Sequence, residues 1–179
     1  KGTFIEPNFN NSLTSRYCLV ITENKDLQCG FTYMDTTTHE FFMGEFQDTP
    51  NRTQLRSLLL RTTPVEIVFR EKTMNKDTIN MMKNMYWKPV VTSLPSTQPI
   101  GVESILYRIK KYFKDLEESN IEILKDLVLM AEESTSGSTS ASGLGEYSQC
   151  PNYWILQGVY FAIEYLEYLY LAEIVLKKC

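Results

Sequence analysis

Histidine is nearly missing from these 179 residues: His39 is the only one. The four cysteines, Cys18, Cys29, Cys150 and Cys179, show no CxxC spacing. A zinc site needs several such ligands at close spacing, so the ligand count argues against one. Cys18 and Cys29 fall in strand-like runs, where a free thiol behaves as a small apolar group. That usage fits a reducing compartment. Basic charge is also lacking. The formal net charge is −4, whereas a module built to grip phosphates is usually basic. Nucleic-acid binding would therefore need a local patch. No signal-type apolar run or small-residue cleavage site follows Lys1. The first residue is not Met, and Cys179 ends an unfinished helical pattern; both read as a piece of something longer.

What is present is apolar and aromatic. Hydrophobic residues make up 43% and aromatics 12%, which excludes disorder throughout and suffices for one cored domain. Tyr17–Thr22 (YCLVIT) is a dense apolar run that reads as a buried strand. Leu27–Met34 and Glu40–Phe46 flank the turn-forming Asp35-Thr36-Thr37-Thr38 and read as a hairpin. Phe31, Tyr33 and Asp35 share one strand face, and Thr32 and Met34 the other. Neither face is purely polar, so both should be covered.

Helix and strand signals then alternate. Asn51–Arg61 carries Leu55, Leu58 and Leu59 at helical spacing and stops before Pro64. Val65–Arg70 alternates as a strand, which after a crossover helix should lie parallel to an earlier one. Lys76–Tyr86 is a second helix, with Ile79, Met82 and Met85 inward, and Pro89–Leu94 a short strand. Val102–Leu116 keeps Val102, Ile105, Leu106, Ile109, Tyr112, Phe113 and Leu116 on one face, and Ile121–Ala131 is a further helix. Glu132–Gly145 is Ser/Gly/Thr-rich and is expected to be mobile. Tyr153–Leu176 approaches a membrane span in length, but Glu164, Glu167 and Glu173 argue against lipid. A helix apolar all round is buried in protein. Too little chain remains to cover both its faces, so its partners are expected to be missing, and the helix is expected to pack against its own domain or against a second copy, with self-association through residues 153–176. The order β-β-β-α-β-α-β-α predicts an α/β fold: a ribonuclease-H-like mixed sheet, an antiparallel meander followed by parallel strands flanked by helices, with a trailing long helix.

The hairpin and the helix after it resemble the connector domain (domain II) of MutS-type mismatch repair proteins. The residues carrying the resemblance are Asp35, Thr36, Thr38, Glu40, Phe41 and Gly44 in the turn and second arm. Leu55, Arg56, Leu58, Leu59, Pro64, Val65 and Glu66 extend it into the helix and strand that follow. Gly44-Glu45-Phe46-Gln47-Asp48 is similar to a stretch typical of the eukaryotic MutS homologue six branch, and Ile155–Leu166 resembles the helix that opens the lever domain. His39 and Gln157 depart from the pattern, at a turn glycine and in a Gly-Gly pair. The resemblance implies a connector over residues 1–149 and a truncated lever start over 150–179. It implies no catalytic, cofactor or metal residues in this chain. No GxxxxGK[ST] phosphate loop occurs, so ATP and Mg belong to the parent protein. The implied setting is nuclear. The implied partners are a second MutS homologue in a heterodimer, mismatched DNA and a MutL-type protein, with little or no DNA bound by the fragment itself.

The alternative is a metal-dependent nuclease of ribonuclease H type. It would need Asp35, Glu40, Glu45 and Glu66 to converge on two cations; the other reading makes Asp35 an acceptor of turn N–H groups. Arg52, Arg56, Arg61 and Arg70 are candidates for phosphate or partner contact, or else a solvated face. His39 is expected exposed at the hairpin tip.

Overall fold

The computed structural model describes residues 16–35, 38, 40–71, 73–95, 100–113, 122–136 and 152–176. Three strands form first: β1 (Tyr17–Glu23), β2 (Gln28–Asp35) and β3 (Glu40–Gln47). Helix α1 (Thr53–Thr62), β4 (Glu66–Arg70), α2 (Lys76–Lys83) and β5 (Val90–Leu94) follow. The chain continues with α3 (Val102–Tyr112), α4 (Glu122–Ser136), α5 (Tyr153–Tyr168) and α6 (Ala172–Val175). The five strands form one sheet of order β3-β2-β1-β4-β5. β1 pairs antiparallel with β2 and β2 with β3, while β4 runs parallel to β1 and β5 parallel to β4. This is the expected mixed α/β sheet.

β1 is apolar on both sides because it is central and covered on both sides. Cys18 and Val20 join Met34 and Val68 in a core with α3, α4, α5 and α6. Leu19 and Ile21 join Ile67 and Phe69 in a second core with Leu55 and Leu59 of α1 and Met82 of α2. The molecule is thus three layers, with the sheet between α1/α2 and α3–α6.

α1 begins later than the leucine pattern suggests. Arg52 has φ 56°, outside helical conformation. The Asp48 carboxylate accepts from the backbone N–H of Thr49, Gln54 and Leu55, at 2.8, 3.0 and 3.1 Å, and so fills the helix's own anion-favouring end. Thr63, also left-handed, closes the other end through its N–H to the Leu59 carbonyl, 2.8 Å. α2 stops at Lys83, although Met85 beyond it stays buried. α4 runs on through Ser136, so the first part of the Ser/Thr-rich stretch is helical; its remainder lies outside the described residues, as do Thr36, His39, Leu116, Cys150 and Cys179.

The expectation for Tyr153–Leu176 is corrected in one respect and met in another. It is not one helix: α5 ends at Tyr168, and Tyr170, at φ 60°, turns the chain before α6. Of the two packings expected for it, the one against its own domain is seen. Leu156, Val159, Ala162 and Ile163 are fully buried, and α5 lies across β2, β1 and β3 while touching α3 and α4. The meander's second face, carrying Thr32 and Met34, needed a cover, and α5 is that cover. Among the described residues no helix is long and apolar enough to cross a membrane.

Candidate functional site

Register decides first what the acids can do. Asp35 lies opposite Tyr17 on β1 and Glu40 on β3. Glu66 lies opposite Cys18, one residue further along β1. Successive strand residues face opposite sides. Asp35 and Glu40 therefore face the α1/α2 layer, while Glu45 and Glu66 face the α5 layer. Four acids split two and two across a sheet cannot converge on a cation pair. Asp35 Oδ1 accepts the N–H of Thr38 at 3.3 Å, and the Thr38 hydroxyl donates to Glu40 Oε2 at 3.2 Å. Gly44 holds the Phe31 ring against β3, where a Cβ would meet it at 2.7 Å. These are the contacts of a turn and a paired edge. Among the described residues no group of three His, Cys, Asp or Glu side chains could hold a metal ion.

Glu66 is engaged elsewhere. Its Oε1 accepts from the hydroxyls of Thr92 and Tyr165, at 2.6 and 2.7 Å, which ties β4 to β5 and α5. Burial and the bond to this carboxylate push the Tyr165 hydroxyl well above its ordinary range. Burial, with Glu66 nearby, raises the Cys18 thiol to about 12, and burial, with Glu23 and Asp48 nearby, does the same to Cys29.

Ligands in open α/β sheets usually bind beyond the carboxyl ends of parallel strands. Here side chains of the protein fill that position twice. At the end of β1, Glu23 is 1% exposed. Its Oε1 meets Arg52 Nη2 at 2.9 Å and accepts from the Thr78 hydroxyl at 3.3 Å, and its Oε2 accepts the Asn75 N–H at 3.0 Å. Arg52 Nε also donates to Thr78 Oγ1 at 2.7 Å, and Nη1 to the Thr49 carbonyl at 3.3 Å. One ion pair thus fastens β1 to the starts of both α1 and α2. Arg52 is buried and fully engaged, not part of a solvated face.

At the end of β4, Arg70 Nη2 donates to Glu164 Oε2 of α5 at 2.6 Å, and its guanidinium stacks 4.4 Å from the Phe161 ring centre. Arg108 of α3 stacks 4.2 Å from the Tyr160 ring centre and lies 3.6 Å from Glu164 and 3.7 Å from Glu167. Glu167 accepts from the Tyr112 hydroxyl and Lys111 Nζ at 2.7 and 3.0 Å. Burial alone would raise this carboxyl; the bonds from Tyr112 and Lys111 and the charge of Arg108 outweigh it and hold it below the usual range. These residues fix α5 to both the sheet and α3. Arg70, like Arg52, is buried.

The remaining arginines are different. Arg56 and Arg61 are exposed. Arg56 lines an open groove of about 850 Å³ between α1 and α2, with Leu60, Asn75, Asp77 and Met81 on its walls. Arg61 acts electrostatically on Tyr33.

Sequence reasoning missed Glu23, Asp48, Glu164 and Gly158. Asp48-Thr49-Pro50 just ahead of a leucine stripe is a readable capping signal; the others pair with residues far away in the chain.

The buried thiols give a direct check. Cys18 and Cys29 should resist iodoacetamide at pH 8.5 in the folded protein and react on unfolding, as followed by mass spectrometry. Because both thiols and Tyr165 are raised on folding, the unfolded chain ionises first as pH rises. Stability should therefore be unaffected by these groups below about pH 8.5 and fall progressively above it. A melting temperature constant to pH 11 would contradict the burial of all three.

Known proteins of related sequence complete the description. The family model of MutS domain II matches residues 16–149. Human DNA mismatch repair protein Msh6 is 25% identical over 133 residues, covering 69% of this chain and 10% of that protein. Chicken DNA mismatch repair protein Msh6 is 23% identical over 131 residues, again 69% of this chain and 10% of that protein. The chain thus spans a tenth of the length of these curated relatives. Among solved structures, the fowlpox virus Holliday junction resolvase superposes with a TM-score of 0.43 at 13% identity, over 84% of this chain and 99% of that one. The expected resemblance holds: with the meander, the helix and the Pro64–Glu66 entry to β4 inside the matched span, this chain belongs to the MutS domain II family.

Proposed function

We propose that this chain is a connector module without catalytic activity of its own. It joins a mismatch-binding domain to the lever and ATPase part of a larger repair protein and offers surface to a MutL-type partner. The observation that carries this reading is the seating of α5. The helix is a layer of the domain's core, tied by Arg70–Glu164 and Tyr165–Glu66 to the two ends of β4, and it runs out toward α6. A displacement of the sheet would carry α5 with it as a rigid arm. On this reading residues 1–149 form the connector, residues 150–179 open the lever, and α5 serves both. Asp35, Thr36, Thr38, Glu40 and Gly44 are structural signature residues. Of the three candidate arginines, Arg56 and Arg61 are the two that meet a partner or phosphate, since Arg52 is engaged internally. ATP and Mg act in the parent protein, which works in the nucleus with a second MutS homologue on mismatched DNA. Self-association uses the corner at Tyr168, Tyr170 and Ile174, which is exposed.

The test has two arms. Incubated with Mg²⁺ or Mn²⁺ and an RNA–DNA hybrid, the chain should leave the hybrid intact. Metal-dependent cleavage abolished by Asp35→Asn would overturn the non-catalytic reading. Titrated with a MutL-type protein, it should bind saturably, and Arg61→Glu should weaken that binding. No binding at any accessible concentration would contradict the partner role.

A further inference from the structure

β3 ends the sheet. It pairs with β2 without interruption from Glu40 to Gln47, and among the described residues no strand lies along its outer side. Such an edge is a template for pairing with another chain, and proteins usually blunt it with proline, lysine, a bulge or brevity. β3 has eight residues, no proline, no lysine and no bulge. Its only charges are Glu40 and Glu45, both exposed, five residues apart and so on opposite faces.

One face beside this edge is an aromatic shelf. Tyr33 stacks on Phe42 at 4.7 Å, Tyr17 meets Tyr33 edge-on at 5.2 Å, and Phe31 lies 5.8 Å from Phe46. Phe42, nearest the edge, is 41% exposed. α1 and α2 cover Leu19, Ile21, Ile67 and Phe69 on this side, but Phe31, Tyr33 and Phe46 are only partly buried.

We propose that the outer edge of β3 takes up an extended basic peptide as a sixth strand, with Lys or Arg at positions i and i+5 opposite Glu45 and Glu40 and apolar side chains seated beside Phe42 and Phe46. Strand addition of this kind draws affinity from main-chain hydrogen bonds and specificity from alternate side chains. The acidic pair selects the occupant. A second copy aligned with its Glu40 opposite Glu45 would set like charges face to face twice, whereas a basic strand sets opposite charges there. The edge and the shelf exist whether or not the connector reading holds.

The probe is a fluorescein-labelled octapeptide, Thr-Val-Lys-Val-Thr-Ile-Thr-Lys, which runs antiparallel with its lysines opposite Glu45 and Glu40. The control peptide carries glutamate at both lysine positions. Binding to the whole chain is read by fluorescence anisotropy, and the added strand by hydrogen exchange of the β3 amides. The lysine peptide should bind and slow exchange at alternate amides between Glu40 and Gln47. Combining Glu40→Lys with Glu45→Lys, both at exposed positions, should weaken that peptide by about tenfold and shift preference to the glutamate peptide. No binding of the lysine peptide, binding unchanged by the double reversal, or protection that falls elsewhere would each overturn the proposal. So would a dimer by light scattering whose β3 amides are already protected without peptide, since the edge would then belong to a second copy.

Discussion

Gly30→Ala should lower the unfolding free energy by about 3 kcal/mol, the upper part of the range for an overpacked core. An added Cβ at Gly30 would lie 2.0 Å from the Trp154 carbonyl oxygen and 2.5 Å from its carbonyl carbon. Both are backbone atoms at the start of α5 and cannot rotate away. The helix must lift, and the core formed by Leu156, Val159 and Ile163 opens with it. Gly158 makes the contrast. Its Cβ would lie 3.2 Å from the Phe31 carbonyl carbon and Thr32 Oγ1, a contact relieved by a shift of a few tenths of an ångström. Alanine also gains roughly 1 kcal/mol over glycine within a helix. Gly158→Ala should therefore be close to neutral, though it touches the same strand. Urea titration of the two variants checks both, and equal stabilities would mean that α5 does not approach β2 this closely.

The second large effect belongs to the clamp at the end of β1. Arg52→Ala should destabilise by about 3–5 kcal/mol, because it leaves Glu23 charged and buried without its cation. The side chains are 8% and 1% exposed, so water cannot replace the lost partner. Glu23→Gln keeps the shape but strands the guanidinium, and should cost a similar amount. Joining Arg52→Met to Glu23→Gln removes both charges and should recover much of the loss. A double-mutant cycle with additive effects would contradict a coupled buried pair. The loss should persist in high salt, unlike that of an exposed pair.

Local pattern was enough for much of this fold. Alternation in YCLVIT and VEIVFR, the turn formers after Met34 and the leucines of α1 are signals within a few residues. Strand and helix order followed from them, and the order of elements implied the sheet. Most of what the pattern does not show involves distance along the chain. Arg52 meets Glu23 and Arg70 meets Glu164 across 94 positions in the second case, so neither arginine could be told from a surface residue by its neighbours. The apolar run of α5 reads as a buried helix, but its sequence does not choose between its own domain and a second copy as the cover. The missing link is the sheet face carrying Thr32 and Met34, which no earlier helix covers. Gly30 is the available clue, since a glycine inside a strand marks a close backbone approach. The break at Tyr170 depends on a left-handed residue that is not glycine and has no local signature. The Asp35 carboxylate accepts the Thr38 N–H, and only register adds that Glu66 lies on the other side of the sheet.

Hydrogen exchange along α5 tests the central claim most directly. If this helix is a fixed layer of the domain, its amides from Leu156 to Leu166 should exchange as slowly as those of β1 and β4, through the same global opening. Arg70→Ala should then speed α5 more than β1. Exchange of α5 at nearly unprotected rates, beside a protected sheet, would show that the helix opens on its own and would contradict a rigid arm.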